Sequence, residues 1–181
     1  MKREELEITL VDATAKYAKA LLDFYQEVGA ETEFLSFGAE GLGINQEQEQ
    51  RYLKSIHGSW NQRLLLALLN DEIIGVASVG VSDNQRMKHV GELGIVIRRR
   101  FWGMGLSRVM MSDLIDWATD SPELRYLTLS VDETNQAAIT LYQHYDFTEI
   151  GRVPAGVKTS SAYHDQILMG RSVLAEDEIV E

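Results

Sequence analysis

The chain has 181 residues, of which 45% are apolar and 25% are charged, as in an ordinary globular domain. It contains no cysteine, which excludes disulfide bonds, zinc–thiolate sites and cysteine nucleophiles, and no metal site is predicted. Its net charge of -11 at pH 7 disfavours nucleic acid as a partner, because contact with phosphate backbones needs a basic face.

The sequence shows no segment that could enter a membrane. The longest aliphatic run, residues 64–69, is far too short to span a bilayer. The charged N-terminus leads directly into a strand-like segment without the apolar stretch of a signal peptide. We therefore expect a cytoplasmic protein with no membrane partner. Its acidity is explained most simply by solubility, although it would also attract a cationic substrate.

The spacing of apolar residues predicts alternating strands and helices. In chain order these are strand 6–11, helices 13–28 and 46–56, strands 64–69, 73–81 and 89–97, helix 106–117, strand 127–131, helix 136–145, and strands 147–153 and 163–169. A turn signal at residues 70–72 makes the second and third strands a hairpin. The order predicts one α/β domain, residues 1–173, with a mixed sheet of about seven strands and about four helices. Residues 174–181 would form an acidic tail.

Residues 95–107, with the sequence IVIRRRFWGMGLS, pass from a predicted strand through two glycines into a predicted helix. Gly103 and Gly105 would let the backbone turn tightly and bring its N–H groups close to a ligand. The dipole of the following helix favours an anion at this place. Three arginines, residues 98–100, precede the glycines in an otherwise acidic chain. The pattern predicts a site for a multiply charged phosphate ligand, and a plain strand-to-helix turn is the alternative.

Two common phosphate-binding motifs do not fit this loop. The Walker pattern G-x-x-x-x-G-K-[ST] is absent. The dinucleotide pattern G-x-G-x-x-G needs a third glycine where Arg108 stands, and an arginine prevents the close packing that glycine permits. What remains, R-x-x-G-x-G from Arg100 to Gly105, resembles the acetyl-CoA loop [Q/R]-x-x-G-x-[G/A] of the GNAT superfamily of N-acetyltransferases.

The resemblance to the GNAT superfamily covers nearly the whole chain. Residues 91–97 (GELGIVI) and 102–106 (WGMGL) are similar to the branch that contains spermidine and ribosomal-protein acetyltransferases. Residues 135–142 (NQAAITLY) resemble the second CoA-contacting segment, N-x-x-A-[I/L]-x-L-Y, and residues 163–170 (YHDQILMG) match the frequent ending Y-x-D-x-I-x-M-G. Each motif is weak alone, but the three in this order are specific.

The resemblance implies an enzyme that moves an acetyl group from acetyl-CoA to a primary amine of a small molecule or protein, by direct attack in a ternary complex. The alternative is a non-catalytic CoA-binding sensor or scaffold. The cofactor-binding residues that it implies are Ile95, Val96, Ile97, Arg100, Trp102, Gly103, Met104, Gly105, Leu106, Ser107 and Asn135.

Three local expectations accompany this cofactor site. The backbone of residues 95–97 would pair with the pantetheine amides as an added strand and offer an N–H to the developing oxyanion. The sheet is expected to splay between residues 95–97 and 127–131, so that a wedge receives the pantetheine arm. Asn135 would bind the cofactor arm, cap the helix that follows it, or do both. Asp146 replaces the family's usual glycine, and aspartate also tolerates the left-handed conformation required there.

Acetyl transfer requires a neutral amine, a stabilised oxyanion and a departing thiolate. The resemblance makes Tyr142, the last residue of NQAAITLY, the acid that protonates the sulfur, since a phenol with a pKa of about 10 keeps its proton at neutral pH. Tyr142 could instead be only a core aromatic residue. Glu92 is the candidate base, because a lone carboxylate in an apolar strand is costly unless it is used, and desolvation there would raise its pKa. An outward-facing or ion-paired Glu92 explains the pattern equally well.

Two histidines and three further carboxylates are weaker candidates. His89 and His164 are reserve bases, although a lone histidine on a strand is more often an ordinary polar residue. The loop between the first two helices contains three acidic residues that could hold a cationic substrate or simply be solvated: Glu31, Glu33 and Glu40. No motif selects the acceptor, so a polyamine, a ribosomal-protein N-terminus, an antibiotic and an amino acid stay open. The oligomeric state is also open, with a homodimer among the alternatives.

Overall fold

A seven-stranded mixed sheet organises residues 7–174, the part of the chain that this computed structural model describes. The elements are β1 Ile8–Asp12, α1 Ala18–Glu31, α2 Gln46–Ile56, β2 Arg63–Leu69, β3 Glu72–Val81, β4 Val90–Ile97, α3 Leu106–Asp120, β5 Tyr126–Asp132, α4 Gln136–His144, β6 Thr148–Lys158 and β7 Tyr163–Ser172. Short 3₁₀ turns precede α1 and follow β4. The predicted order and strand number are confirmed. The expected acidic tail lies outside the described residues except for Leu174.

The strands are arranged in the order β1-β2-β3-β4-β5-β7-β6. All neighbouring strands are antiparallel except β4 and β5, which are parallel. A parallel pair needs a crossover connection, and α3 supplies it. No helix within residues 7–174 is long and apolar enough to cross a membrane.

Two turns follow directly from local chemistry. Asn70 and Asp71 both have positive φ, 48° and 65°, as the two-residue turn of the predicted hairpin requires. Asp146 has φ 62° after α4, which confirms the left-handed conformation expected there. Two boundaries differ from the prediction by five residues: α1 begins at Ala18 instead of residue 13, and β6 continues past Pro154 to Lys158 instead of ending at residue 153. Proline lacks an N–H, and it is tolerated here because β6 is an edge strand with a register shift at this point.

The two faces of the sheet carry separate apolar cores. Helices α3 and α4 pack against one face, with Met110, Leu114 and Ile139 among the buried side chains. Helices α1 and α2 cover the other face, with Phe24 and Leu53 fully buried. The two faces are called the α3–α4 face and the α1–α2 face below. Because side chains alternate along a strand, each residue of β4 or β5 can be assigned to one face.

Candidate active site

The sheet opens between β4 and β5. These strands pair at only three positions, the last of which joins Glu92 to Thr128. Beyond it, β4 continues beside β3 as far as Ile97, and β5 continues beside β7 as far as Asp132. The opening, called the β4–β5 gap below, is bordered by residues 93–97 on one side and 129–132 on the other. The predicted splay of the sheet is therefore confirmed.

The main-chain groups of β4 alternate between bonding to β3 and facing the gap, and one hydrogen bond shows which residues do which. The N–H of Arg98 donates to the carbonyl of Ile74 at 3.0 Å, one position beyond the β3–β4 register. Antiparallel bonding alternates along a strand, so Val96 bonds to β3 whereas Ile95 and Ile97 point their N–H and C=O groups into the gap. The expectation that all of residues 95–97 could pair with a ligand backbone is thus reduced to Ile95 and Ile97.

The glycine loop, residues 98–105, lies at the wide end of the gap and leads into α3. Gly103 and Gly105 have φ values of 73° and 84°, and a Cβ added at either would meet nothing within 4 Å. From Gly103 to Ser107, no N–H donates to an acceptor within residues 7–174. Five successive free N–H groups at the start of a 15-residue helix form a site suited to a phosphate group.

Trp102 was predicted to bind the cofactor, and both of its N–H groups have partners within the protein. Its N–H donates to the carbonyl of Arg99 at 3.1 Å, so it is not available to a phosphate. Its indole Nε1 donates to the carbonyl of Ile97 at 2.7 Å. Of the groups of Ile95 and Ile97 that face the gap, the Ile97 carbonyl is therefore already occupied. Trp102 holds the loop against the end of β4.

The three arginines, which were predicted to serve the phosphate, all contact acidic side chains of the protein, and their role toward the phosphate stays a prediction. The side chain of Arg98 is only 11% exposed, forms an ion pair with Glu27, and donates from Nε to the carbonyl of Ile73 at 2.7 Å. Arg100 donates to Glu72 at 2.7 Å. The N–H of Arg99 donates to the carboxylate of Glu31 at 2.7 Å. The sequence pattern could not distinguish this anchoring of the loop from ligand binding.

Replacing Arg98 with methionine should lower the free energy of unfolding by about 1–3 kcal/mol, because the carbonyl of Ile73 and the carboxylate of Glu27 lose their donor. Arg100→Met should cost less than about 1 kcal/mol, since the Arg100 side chain is 57% exposed. Denaturant unfolding measures both. A stable Arg98→Met variant that binds acetyl-CoA weakly would instead support the phosphate-binding role.

Asn135 is the N-cap of α4 and Tyr142 lies on α4, beyond the end of β5. The side chain of Asn135 accepts from the N–H of Ala138 at 3.2 Å, so the helix-capping role is present. Tyr142 is 7% exposed and packs against Phe147 with 6.1 Å between ring centroids. Burial raises the pKa of the Tyr142 phenol to about 12. The phenol therefore keeps its proton throughout the neutral range, as a proton donor must.

Glu92 occupies the last paired position of β4, at the narrow end of the gap. It is exposed, and it forms no ion pair with any residue between 7 and 174. The desolvation on which its expected role as a base depended is therefore absent. Since Leu93 packs on the α3–α4 face, Glu92 faces the α1–α2 side of the sheet.

The three acidic residues predicted to hold a cationic substrate are used within the protein. Glu31 accepts from Arg99, as described above, and Glu40 accepts from the N–H of Gly38 at 2.8 Å, which lowers the pKa of its carboxyl group. Glu33 accepts from the N–H and hydroxyl of Ser160 at 2.8 and 3.1 Å. This last contact joins the α1–α2 loop to the β6–β7 turn on the side of the sheet that Glu92 faces.

One polar pair was not predicted from the sequence. The carboxylate of Asp132, whose side chain is 1% exposed, lies 2.9 Å from Nδ1 of His164. Burial alone would raise the pKa of Asp132, but hydrogen bonds from His164 and Thr134 outweigh burial and lower it. His164 was considered as a lone residue, and its partner is 32 positions away in the chain, so no local pattern could reveal the pair. His89, the other reserve base, is exposed at the opposite end of β4.

Two concavities are present on the surface of the described residues. One, of about 550 Å³, adjoins the glycine loop, and it is lined by Phe101, Met104, Gly105 and Leu106 together with Ile8, Leu10 and Val109. The other, of about 330 Å³, lies near Trp60 and Trp117, at the end of the sheet where β4 begins. Neither is part of the β4–β5 gap.

A splayed parallel pair beside a helix N-terminus with free N–H groups suits a ligand with a phosphate group and an amide-bearing arm, and comparison with known proteins identifies the family. The sequence profile of the acetyltransferase (GNAT) family matches residues 21–147. The chain therefore belongs to this family, and it is an acetyl-CoA-dependent N-acetyltransferase. The resemblance to GNAT proteins and the cosubstrate acetyl-CoA, both predicted from the sequence, are confirmed.

Three similar proteins illustrate the range of the family. The crystal structure of a GNAT-family acetyltransferase from Streptococcus pneumoniae is 35% identical with a TM-score of 0.87, over 92% of this chain and 99% of that one. The structure of yncA from Salmonella typhimurium with its cofactor acetyl-CoA has a TM-score of 0.78 at 18% identity, over 92% and 94% of the chains. The L-amino acid N-acetyltransferase AaaT of Escherichia coli (strain K12) is 24% identical over 62% of this chain and 74% of that protein.

Proposed function

We propose that the protein acetylates a primary amine by direct attack of the amine on acetyl-CoA, with both bound at the β4–β5 gap. The observation that carries the proposal is the continuity between the gap and the glycine loop. The main-chain groups of Ile95 and the N–H of Ile97 line one side of the gap, and the free N–H groups from Gly103 to Ser107 follow at its wide end. The first set suits the amides of a pantetheine arm and the second its pyrophosphate.

The residues around the gap divide the chemistry between them. Tyr142 donates its phenolic proton toward the departing sulfur, and its raised pKa keeps that proton in place at neutral pH. The N–H of Ile95 or Ile97 stabilises the oxygen that becomes anionic. Glu92, exposed at the narrow end of the gap, accepts a proton from the attacking nitrogen through a water molecule and attracts the cationic amine.

The acceptor is a small amine or a protein amine. Because the similar protein AaaT is named an L-amino acid N-acetyltransferase, an L-amino acid is the first acceptor to test. The resemblance of residues 91–106 to spermidine and ribosomal-protein acetyltransferases adds a polyamine and a protein N-terminus. The α1–α2 loop and the β6–β7 turn, joined by Glu33 and Ser160, border the side from which such an amine would approach.

An acetyl-CoA-dependent release of thiol is expected with at least one amine of a panel that contains L-amino acids, spermidine, a ribosomal-protein N-terminal peptide and an aminoglycoside. Mass spectrometry of the product should identify the acetylated amine. Gly105→Val serves as the control that lacks an open phosphate site. Tight acetyl-CoA binding without thiol release across the whole panel would favour the sensor or scaffold alternative.

A further inference from the structure

The Asp132–His164 pair has the geometry of a positioned base. Asp132 Oδ1 accepts from both the N–H and the hydroxyl of Thr134, at 2.8 and 2.7 Å, and Oδ2 faces Nδ1 of His164 at 2.9 Å. Because an ionised carboxylate only accepts, Nδ1 must carry the proton. The other ring nitrogen, Nε2, then has a free lone pair. The His164 side chain is 23% exposed, so solvent or a substrate can reach it.

The fold places this pair at the wide end of the β4–β5 gap, on the α1–α2 face. Asp132 is the last residue of β5 and lies opposite Gln166 of β7, so His164 lies two positions further out on the same face of β7. The alternate residues Val131 and Ile167 pack on the α3–α4 face. Glu92 shares the face of the pair but lies at the narrow end of the gap. Asp132 therefore borders the gap at its wide end with His164 beside it on β7, and Glu92 lies at the narrow end.

Two protons leave the nitrogen when an ammonium group becomes an amide. The first must leave before attack, because the lone pair is otherwise occupied. The second leaves as the C–N bond forms and the C–S bond breaks, and the sulfur gains a proton in the same reaction. One proton therefore passes to solvent in each turnover. The two protons leave at different stages of the reaction, so two different groups can accept them.

We propose that Nε2 of His164 takes the first proton from the arriving ammonium group and passes it to solvent, while Asp132 positions the ring. This proposal rests on the acetyltransferase function proposed above and assigns one step of it. Asp132 would also stabilise the imidazolium that forms, as a buried carboxylate does for a catalytic histidine elsewhere. His164 is thus a catalytic residue and Asp132 is a positioning residue.

Other charges near the pair are already matched. Arg152 of β6 pairs with Glu133 and Glu149, and its Nη1 is 3.6 Å from Asp165. Asp165 lies on the opposite face of β7 from His164 and accepts from the N–H of Ala155. From the α1–α2 loop, Glu33 is bound to Ser160, and Lys158 of β6 lies over the ring of Tyr163. Asp132 is in contact with His164, and Glu92, on the same face of the sheet, lies at the other end of the gap.

His164→Gln should lower kcat/KM for the acceptor amine about 10- to 100-fold near pH 7, where almost all of a lysine-like amine is protonated. At about pH 9.5 a larger fraction of the amine is already neutral, so the difference from wild type should narrow to a few-fold. His89→Gln, at an exposed histidine that directly precedes β4 at the far end of the sheet, is the matched control and should change neither value.

Asp132→Asn gives an independent test that keeps the histidine. The donors of Thr134 would hold the amide oxygen, so the amide NH₂ would face Nδ1 and force the proton of His164 onto Nε2. A ring protonated on Nε2 cannot accept a proton there, and the loss in kcat/KM should match that of His164→Gln. Nitrogen-15 NMR of the neutral ring should find the proton on Nδ1 in wild type and on Nε2 in Asp132→Asn.

Three outcomes would overturn the proposal: a wild-type His164 protonated on Nε2, a His164→Gln variant that matches His89→Gln at both pH values, or an equal loss at both pH values with a lowered melting temperature. Failure of the proposed function would look different. In that case wild type would acetylate no amine of the panel, and the NMR result would still decide whether the Nε2 lone pair exists.

Discussion

Tyr142→Phe is expected to reduce kcat by about 10- to 1000-fold and to leave the affinity for acetyl-CoA nearly unchanged. Only the hydroxyl is removed, and its interaction with the sulfur is made mainly in the transition state. A thiolate with a pKa of about 8.5 is a fair leaving group, so the loss should be at or below the usual range for a general acid. Steady-state kinetics over acceptor concentration, with calorimetry for acetyl-CoA, measure both quantities.

The pH profile adds a second expectation for Tyr142. Burial raises its pKa to about 12, and the phenol can donate only while it is protonated. The activity attributable to Tyr142 is therefore fully present at neutral pH and is lost only as the pH rises through about 12. In wild type, this residue should cause no decline in activity between about pH 7 and pH 10.

Tyr145→Phe is the matched control, because the hydroxyl of Tyr145 donates to the carbonyl of Arg108 at 2.7 Å and is engaged in the packing of α4 against α3. Loss of this hydrogen bond should lower the free energy of unfolding by about 1 kcal/mol without lowering kcat. Full activity in a stably folded Tyr142→Phe variant would mean that the proton comes from another donor and that Tyr142 serves only the core.

Gly105→Val is expected to weaken acetyl-CoA binding by roughly 30-fold or more. Gly105 has φ 84° and caps α3, and valine strongly disfavours that conformation. Its side chain would also fill the open space beside the free N–H groups, at a cost of about 2–4 kcal/mol if one or two charge-assisted hydrogen bonds are lost. Gly103→Val should act in the same direction, and calorimetry with acetyl-CoA measures each variant.

Gly58→Val controls for backbone strain. Gly58 has φ 72° and also has nothing within 4 Å of an added Cβ, but it lies just after α2 and far from the glycine loop. The Gly58→Val variant should lose stability as the Gly103→Val and Gly105→Val variants do, but it should keep its affinity for acetyl-CoA. Unchanged affinity in folded Gly103→Val and Gly105→Val would contradict the placement of the phosphate at this loop.

The sheet could be predicted from the sequence because its signals are local. Alternating apolar residues mark the strands, and Asn70-Asp71 and Gly103-x-Gly105 mark the turns that require positive φ. The end of β6 was wrong for the same reason: Pro154 is a local signal for termination, but its effect depends on whether the strand has a neighbour on that side.

The features of the site that were missed depend on partners distant in sequence. Arg98 looks like a ligand residue until Glu27 and the carbonyl of Ile73 are brought beside it by α1 and β3. Likewise, Asp132 and His164 became a pair only through the adjacency of β5 and β7. Charged side chains make such contacts without any periodic pattern, and so a single sequence contains no record of them.

The short β4–β5 pairing also divides the sheet into two antiparallel halves, β1–β4 and β5–β7, whose backbones are joined along three residue pairs. A molecule bound along both borders of the gap would act as a missing strand and tie the halves together. Binding to the folded state alone adds about 2.7 kcal/mol to its stability when the free ligand is at a hundred times its Kd. The metabolic supply of acetyl-CoA would then govern how long this protein resists heat and proteolysis, in addition to how fast it works.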